Sequence, residues 1–220
     1  MTPLKMVFFD MDGTIVDTEK IALGVLADFF ESRGHRLTVE DMDDLEGHAW
    51  AQAVVQLQKK YHLTTTPKAL EAELLEEYRA RIKRGGIPEI PGSVAAIKDL
   101  ATEFRICIVS GSRRHDIQTV VTTLKLDRYI EQFFGFEDYT RGKPSPAPYL
   151  EAMQICGVQP EEAMVFEDSV PGVQAGLAAG LRVVTVGPEV VPHHHRPSTP
   201  WSIRDFRGVN VAWMRERFEV

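Results

Sequence analysis

The sequence has little cysteine and no excess of positive charge. Among its 220 residues only Cys107 and Cys156 are cysteines, and both lie in apolar surroundings without a CxxC spacing. This favours reduced core residues in a cytoplasmic protein. Lysine and arginine together number 25 against 32 aspartates and glutamates, a formal net charge of -7. We therefore expect no broad surface for nucleic acid or for an anionic membrane.

Long hydrophobic runs are also absent. The amino-terminal region has one short unbroken apolar run, Met6 to Phe9, so we expect neither a signal peptide nor a membrane span. The composition, 44% hydrophobic and 26% charged, is typical of globular proteins, and no internal repeat is present. A chain of this length suffices for one large core with a smaller companion. We expect the protein to be a monomer.

Asp10 and Asp12, in the stretch DMDGT, are the first candidate site residues. They follow an apolar run, residues 4–9, that predicts a buried strand of a parallel sheet, so they lie where such sheets place ligands. Side chains two residues apart point to the same side of an extended backbone, so one carboxylate could attack phosphorus while the other transfers a proton. A calcium loop is the alternative, but Ile21 stands where its twelfth residue, a glutamate, belongs.

Ser110 and Gly111 are candidate phosphate-binding residues. The stretch SGS follows a second strand-like run, residues 104–109, and precedes a helix predicted from Arg114 to about Leu124. A hydroxyl and unhindered backbone N–H groups between a strand and a helix are typical of a phosphate site. The alternative is that Ser110 or Ser112 only caps the helix.

Lys143 is predicted to lie in a loop before a helix. Pro144 biases it toward an extended conformation, and Ser145-Pro146 is typical of an N-cap followed by the first helical residue. Taken alone, this lysine would be interpreted as a solvated surface residue.

Glu167 and Asp168 end a strand-like run, residues 163–166, and precede a predicted helix rich in small residues that extends to Gly180. Adjacent acids at the end of a strand favour a site for a hard cation with oxygen ligands, for which Mg²⁺ is the expected occupant. Two solvated acids are the alternative.

The ordered set of four stretches resembles the haloacid dehalogenase superfamily, whose opening motif is similar to residues 9–14 (FDMDGT) with VDT at 16–18. The resemblance implies that Asp10 is the nucleophile and Asp12 the general acid/base. It implies that Ser110 contacts the phosphoryl group and that Lys143 offsets the charge of nucleophile and phosphate. It also implies that Asp168 binds the metal with Asp10 and the backbone carbonyl of Asp12, while Glu167 acts directly or through water.

The pattern between about Asp17 and Gly86 is helical throughout, with helices predicted at 21–32, 50–61 and 67–84. The remainder alternates strands and helices, with further strands near 133–136, 182–186 and 201–203. The fold class is therefore α/β: a Rossmann-like parallel sheet core, residues 1–16 and 87–220, with a small all-helical domain, residues 17–86, inserted after the first strand. The insertion resembles the superfamily's helical cap, which closes over the cleft.

The segment of residues 43–50, called the cap loop below, is the candidate for substrate specificity. Its residues expected to contact the substrate are Glu46, Gly47, His48 and Trp50. Trp50 could equally pack inside the cap. Up to about Gly187 the chain resembles the β-phosphoglucomutase-like phosphatases. The sugar-phosphate mutases of that group carry a lysine immediately before the glycine that matches Gly47 and an arginine three residues after it. This chain has Glu46 and Trp50 at those two positions.

The sequence thus predicts a Mg²⁺-dependent phosphatase that acts on a small phosphorylated metabolite through an aspartyl phosphate. A sugar phosphate or inorganic pyrophosphate is the expected substrate. A sugar phosphomutase on the same core and a non-catalytic phosphate- or metal-sensing module are the alternatives. The run of three histidines, residues 193–195, predicts a loop rather than a metal site, because consecutive imidazoles do not readily converge on one ion.

Overall fold

A parallel β-sheet forms the centre of one structural unit, which comprises residues 1–17 and 89–220. The structure, a computed structural model, describes residues 3–41, 50–187 and 199–218. The strands are β1 Met6–Phe9, β2 Arg105–Val109, β3 Gln132–Phe134, β4 Ala163–Glu167, β5 Arg182–Val186 and β6 Trp201–Ile203. They form one six-stranded sheet in the order β3-β2-β1-β4-β5-β6, and every neighbouring pair is parallel.

The helices are α1 Thr18–Glu31, α2 Trp50–Lys60, α3 Pro67–Gly85, α4 Ser93–Leu100, α5 Arg114–Thr123, α6 Ala147–Cys156, α7 Val170–Ala178 and α8 Val211–Phe218. The chain divides into two compact units, one of residues 1–17 and 89–220 and the other of residues 18–88. In the described ranges, every helix is too short or too polar to cross a membrane. The predicted α/β class is confirmed, whereas the cap role of the helical unit, the monomeric state and the cytoplasmic location stay predictions.

The sheet explains the unbroken apolar run at the start of the chain. All four residues of β1 are fully buried, because this strand is central and both of its faces are covered. Its register pairs Phe9 with Ile108 of β2 and with Phe166 of β4. The residues that follow these three strands therefore meet at one edge of the sheet.

Two local predictions are wrong in detail. The third strand ends at Phe134 rather than near Phe136, because the N–H of Gly135 donates to Asp138 Oδ2 at 2.8 Å and residues 136–138 form a short 3₁₀ turn. Helix α6 begins at Ala147, one residue later than predicted, and Pro146 occupies its N-cap position. Ser145 still accepts a hydrogen bond, from the N–H of Ala147 at 3.2 Å.

The helical unit contains a buried carboxylate with several donors. Asp41, only 4% exposed, accepts from the N–H and hydroxyl of Thr38, from the hydroxyl of Tyr61 and from the ammonium of Lys60, at 2.5 to 2.9 Å. Burial alone would raise the pKa of Asp41, but these hydrogen bonds lower it well below its usual range. Asp41 thus links the segment after α1 to the end of α2.

We expect replacement of Asp41 by Asn to lower the free energy of unfolding by about 2–3 kcal/mol at pH 7, because charge-assisted hydrogen bonds are lost. The folded pKa lies below the unfolded value of 3.8, so this stabilisation is present above pH 4 and is lost as the pH falls further. Urea unfolding of both proteins between pH 7 and 3 measures it. Asp28→Asn, which removes an exposed ion pair with Arg81, is the control and should cost less than about 1 kcal/mol. A difference that does not shrink below pH 4 would contradict the assignment.

Candidate active site

The four stretches singled out in the sequence meet at the edge of the sheet where β1, β2 and β4 end. The N–H of Asp10 donates to the carbonyl of Phe166, and the N–H of Ser110 donates to the carbonyl of Phe134, both at 3.0 Å. These bonds continue the sheet one residue beyond its strands. Asp10, Ser110 and Glu167 are all buried there, with exposed fractions of 7%, 0% and 0%.

The ammonium of Lys143 lies at the centre of this edge. Its Nζ donates to Asp10 Oδ1 at 2.6 Å, to Glu167 Oε1 at 2.5 Å and to the carbonyl of Val109 at 3.0 Å. The lysine side chain is only 10% exposed. Burial alone would lower its pKa, but Asp10 and Glu167 raise it well above its usual range, so the lysine stays charged. It is therefore no solvated surface residue.

Asp12 is held by serines from the end of β2. Its Oδ2 accepts from Ser110 Oγ at 3.2 Å and from Ser112 Oγ at 2.7 Å, while Ser110 Oγ accepts from the N–H of Ser112. The alternative of a serine N-cap is wrong, because Arg113 occupies the N-cap position of α5 and its side chain makes no capping bond. Sequence reasoning missed the contact of Ser112 with Asp12, although the second hydroxyl of the SGS stretch was a signal for it.

Gly111 is exposed, and a Cβ atom at this position would meet nothing within 4 Å. Packing therefore does not require glycine here, and the predicted role of Gly111 depends on its N–H group alone. The guanidinium of Arg114, the first residue of α5, donates to Asp138 Oδ2 at 2.7 Å and to the carbonyl of Phe133 at 3.0 Å, so this arginine is already paired.

Glu167 is buried and Asp168 is partly buried, and both lie against glycines. Asp168 Oδ1 accepts from the hydroxyl of Thr14 at 3.1 Å. A Cβ atom at Gly13, where φ is +80°, would lie 2.1 Å from Asp168 Oδ2, and one at Gly172 would lie 1.8 Å from Glu167 Oε1. Both positions therefore require glycine, and Gly172 near the start of α7 leaves room for the Glu167 carboxylate.

The site contains more acidic than basic side chains. Burial and three neighbouring acids raise the pKa of Asp10 well above its usual range, against the opposing effect of Lys143. Burial and Glu167 raise the pKa of Asp168 to about 7. Four acidic side chains, with Asp12 the fourth, thus lie near one ammonium that contacts two of them, and such an arrangement attracts a cation.

A metal ion fits this set of donors. One carboxylate oxygen from each of Asp10, Glu167 and Asp168 lies within 4.8 Å of the others. The donors are oxygens without histidine or cysteine, which is the ligand chemistry of a hard divalent cation. The predicted metal residues Asp10, Glu167 and Asp168 therefore lie together, next to Asp12.

The predicted specificity residues are not tested by this geometry. Glu46, Gly47 and His48 lie outside the described residues, as do His193, His194 and His195. Trp50 is the first residue of α2. The role of the cap loop stays a prediction.

Comparison with known proteins agrees with the fold and with the residue pattern. The family model described as haloacid dehalogenase-like hydrolase matches residues 7–186. A fructose-1-phosphate phosphatase of Escherichia coli is 30% identical over 181 residues, which cover 81% of this chain and 94% of that protein. A bifunctional riboflavin kinase/FMN phosphatase of Arabidopsis thaliana is 26% identical over 182 residues, 82% of this chain but only 48% of that longer protein.

A solved structure from Thermotoga maritima, named provisionally as a β-phosphoglucomutase, superposes with a TM-score of 0.82. The superposition covers 96% of this chain and 99% of that chain, and at 21% identity it shows the fold alone. The family model and the 30% identical relative go further than the fold. They confirm the resemblance seen in the motifs: the chain belongs to the haloacid dehalogenase-like hydrolases.

Proposed function

We propose that the protein is a Mg²⁺-dependent phosphatase that hydrolyses a small phosphorylated metabolite through an aspartyl phosphate. The observation that carries the proposal is the Lys143 ammonium bonded to both Asp10 and Glu167 at the end of the central strand. A carboxylate that approaches a phosphate dianion meets a repulsion of about 1 kcal/mol per charge pair at 4 Å in water, and about 4 kcal/mol at an effective dielectric constant of 20. The buried ammonium of Lys143, which donates to Asp10 Oδ1, offsets part of this repulsion.

In the proposed reaction, a carboxylate oxygen of Asp10 forms a bond to phosphorus while the bond from phosphorus to the leaving oxygen breaks. Asp12, as a carboxylic acid, gives its proton to that oxygen. The Asp12 carboxylate then takes a proton from water, and the resulting hydroxide attacks phosphorus and releases inorganic phosphate from Asp10. Two serine hydroxyls on Asp12 Oδ2 support this role, since they fix the carboxyl group beside the nucleophile.

The phosphate would be bound by Ser110 and by the N–H of Gly111, and Mg²⁺ by Asp10, Asp168 and the backbone carbonyl of Asp12, with Glu167 acting directly or through water. A bound Mg²⁺ ion supplies positive charge at the phosphoryl group. The raised pKa values of Asp10 and Asp168 support a cation at this place, because such buried acids ionise readily only beside positive charge.

The proposed substrate class is a sugar phosphate or a similar phosphomonoester, with pyrophosphate as the second possibility. The name of the 30% identical relative, a fructose-1-phosphate phosphatase, supports a sugar phosphate. The FMN phosphatase part of the longer relative's name also concerns a phosphomonoester. The choice among such substrates is assigned to Glu46, Gly47, His48 and Trp50 of the cap loop.

Removal of divalent metal should abolish turnover, because Lys143 alone cannot offset the carboxylates of Asp10, Glu167 and Asp168 together with a phosphate dianion. We expect hydrolysis of p-nitrophenyl phosphate to fall by at least about 100-fold after chelation and gel filtration, and to return with added Mg²⁺. Thermal unfolding of the metal-free protein serves as the control for an intact fold. Hydrolysis that persists after complete chelation would contradict the proposal.

Replacement of Asp10 by Asn should remove the nucleophile while keeping its size. We expect kcat with p-nitrophenyl phosphate to fall by more than about 1,000-fold. Asp127→Asn, at an exposed carboxylate that accepts from Thr122, is the matched control and should leave kcat unchanged. A residual rate within about tenfold of the wild type would remove Asp10 from the nucleophile role.

A panel of phosphorylated metabolites with Mg²⁺ separates the phosphatase from a mutase on the same core. We expect release of inorganic phosphate from at least one sugar phosphate, because the mutase cations are replaced by Glu46 and Trp50. Phosphate release and isomer formation from glucose 1-phosphates are measured in the same reaction. Isomer formation without net phosphate release would identify a mutase, and absence of any turnover would favour a sensing module.

A further inference from the structure

Tyr149 lies at the base of the site and has no role in the reaction described above. It is the third residue of α6 and is fully buried. Its hydroxyl donates to Glu167 Oε1 at 2.9 Å, and the Lys143 Nζ atom lies 5.2 Å from the centroid of its ring. The tyrosine therefore touches both partners of the central ion pair.

Glu167 has hydrogen-bond donors on both of its carboxylate oxygens. Oε1 accepts from Lys143 and Tyr149, and Oε2 accepts from the N–H and the hydroxyl of Ser169 at 3.2 and 3.1 Å. Each carboxylate oxygen thus has two donors, and the missing side chain of Gly172 leaves room for the group. A carboxylate bound on both sides cannot rotate without losing hydrogen bonds, so its Oε1 is a fixed anchor for the ammonium.

The ring of Tyr149 is fixed independently of its hydroxyl. It packs against the ring of Phe8, with centroids 6.3 Å apart, and its Cε2 atom would lie 4.0 Å from a Cβ atom at Gly176. A phenylalanine would fill the same space and keep the ring near the ammonium. Only the hydroxyl, which needs a partner when buried, distinguishes tyrosine at this position.

We propose that Tyr149 is a positioning residue: through its hydrogen bond to Glu167 it holds the Lys143 ammonium beside Asp10. The consequence for the reaction rests on the phosphatase proposed above. Without the hydroxyl, Glu167 Oε1 keeps Lys143 as its one donor among the described residues, and the carboxylate and ammonium can shift together away from Asp10. The loss would then appear in the step in which Asp10 attacks, rather than in the binding of substrate.

The first test is Tyr149→Phe assayed with p-nitrophenyl phosphate and saturating Mg²⁺. We expect kcat to fall by about tenfold while KM changes by less than about twofold. Tyr129→Phe, which removes a hydroxyl that accepts from Arg128 at the surface of the core unit, is the matched control and should leave both constants unchanged. An unchanged kcat in Tyr149→Phe would overturn the proposal.

A double-mutant cycle with Glu167→Gln tests whether the tyrosine acts through the glutamate. Gln keeps the size of Glu167 but not the negative charge that binds the Lys143 ammonium. In this variant the tyrosine hydroxyl therefore no longer orients a carboxylate that holds the lysine. We expect Tyr149→Phe to lower kcat by less than about twofold in the Glu167→Gln protein. If the decrease in kcat of the double variant equals the product of the decreases of the two single variants, Tyr149 acts independently of Glu167 and the proposal is overturned. A purely structural contribution of the tyrosine should be the same with Glu or Gln at position 167.

A third measurement needs neither metal nor turnover. Brief acetylation of the native, metal-free protein followed by peptide mass spectrometry reports how accessible the Lys143 amine is. We expect its acetylation to rise several-fold in Tyr149→Phe, while Lys5, whose side chain is 53% exposed, serves as the internal reference. Circular dichroism of the same samples verifies the fold. Unchanged acetylation of Lys143 would refute the positioning role even if the protein is an active phosphatase, whereas increased acetylation in a protein without turnover would refute only the proposed function.

Discussion

One buried ammonium determines the arrangement of the candidate site. Lys143 contacts carboxylates that follow β1 and end β4, and it also contacts the last carbonyl of β2. Carboxylates that are removed from water repel one another and are stabilised only by opposite charge or by hydrogen bonds. The lysine provides both in one group. It therefore connects three strands, and the remaining negative charge creates the demand for a further cation.

The sheet register brings these groups within reach of the ammonium. Phe9 lies level with Ile108 and Phe166, so Asp10 emerges next to the ends of β2 and β4. A shift of one residue in either pairing would turn the following side chains to the other face of the sheet. The fully buried β1 disfavours such a shift, because a slip would draw the charged Lys5 or Asp10 into the covered part of the strand. The precision of the site thus depends on the hydrophobic core beneath it.

The sequence was sufficient to predict the features that depend on local patterns. The apolar runs predicted the parallel sheet, and the strand ends predicted where Asp10, Ser110 and Glu167 would meet. The contacts missed by the prediction join residues that are far apart in the chain: Ser112 with Asp12, and Tyr149 with Glu167. Tyr149 occurs in an ordinary helical pattern, and nothing local distinguishes a tyrosine that packs in the core from one that also donates to a buried carboxylate. The early end of β3 was missed for a different reason: the backbone N–H of Gly135 donates to the side chain of Asp138, a local contact that the apolar pattern does not reveal.

The two adjacent acids at the end of β4 are not equivalent, although their sequence context is the same. Glu167 is fully buried, and donors from three residues occupy both of its oxygens. Asp168 accepts from Thr14 at one oxygen, and burial and Glu167 raise its pKa to about 7, so its ionised form is only partly compensated by the protein. A cation gains most from a carboxylate whose charge is not yet compensated. The charge distribution therefore supports the proposal that Asp168 binds a cation directly, whereas Glu167 is already the hydrogen-bonded partner of the lysine.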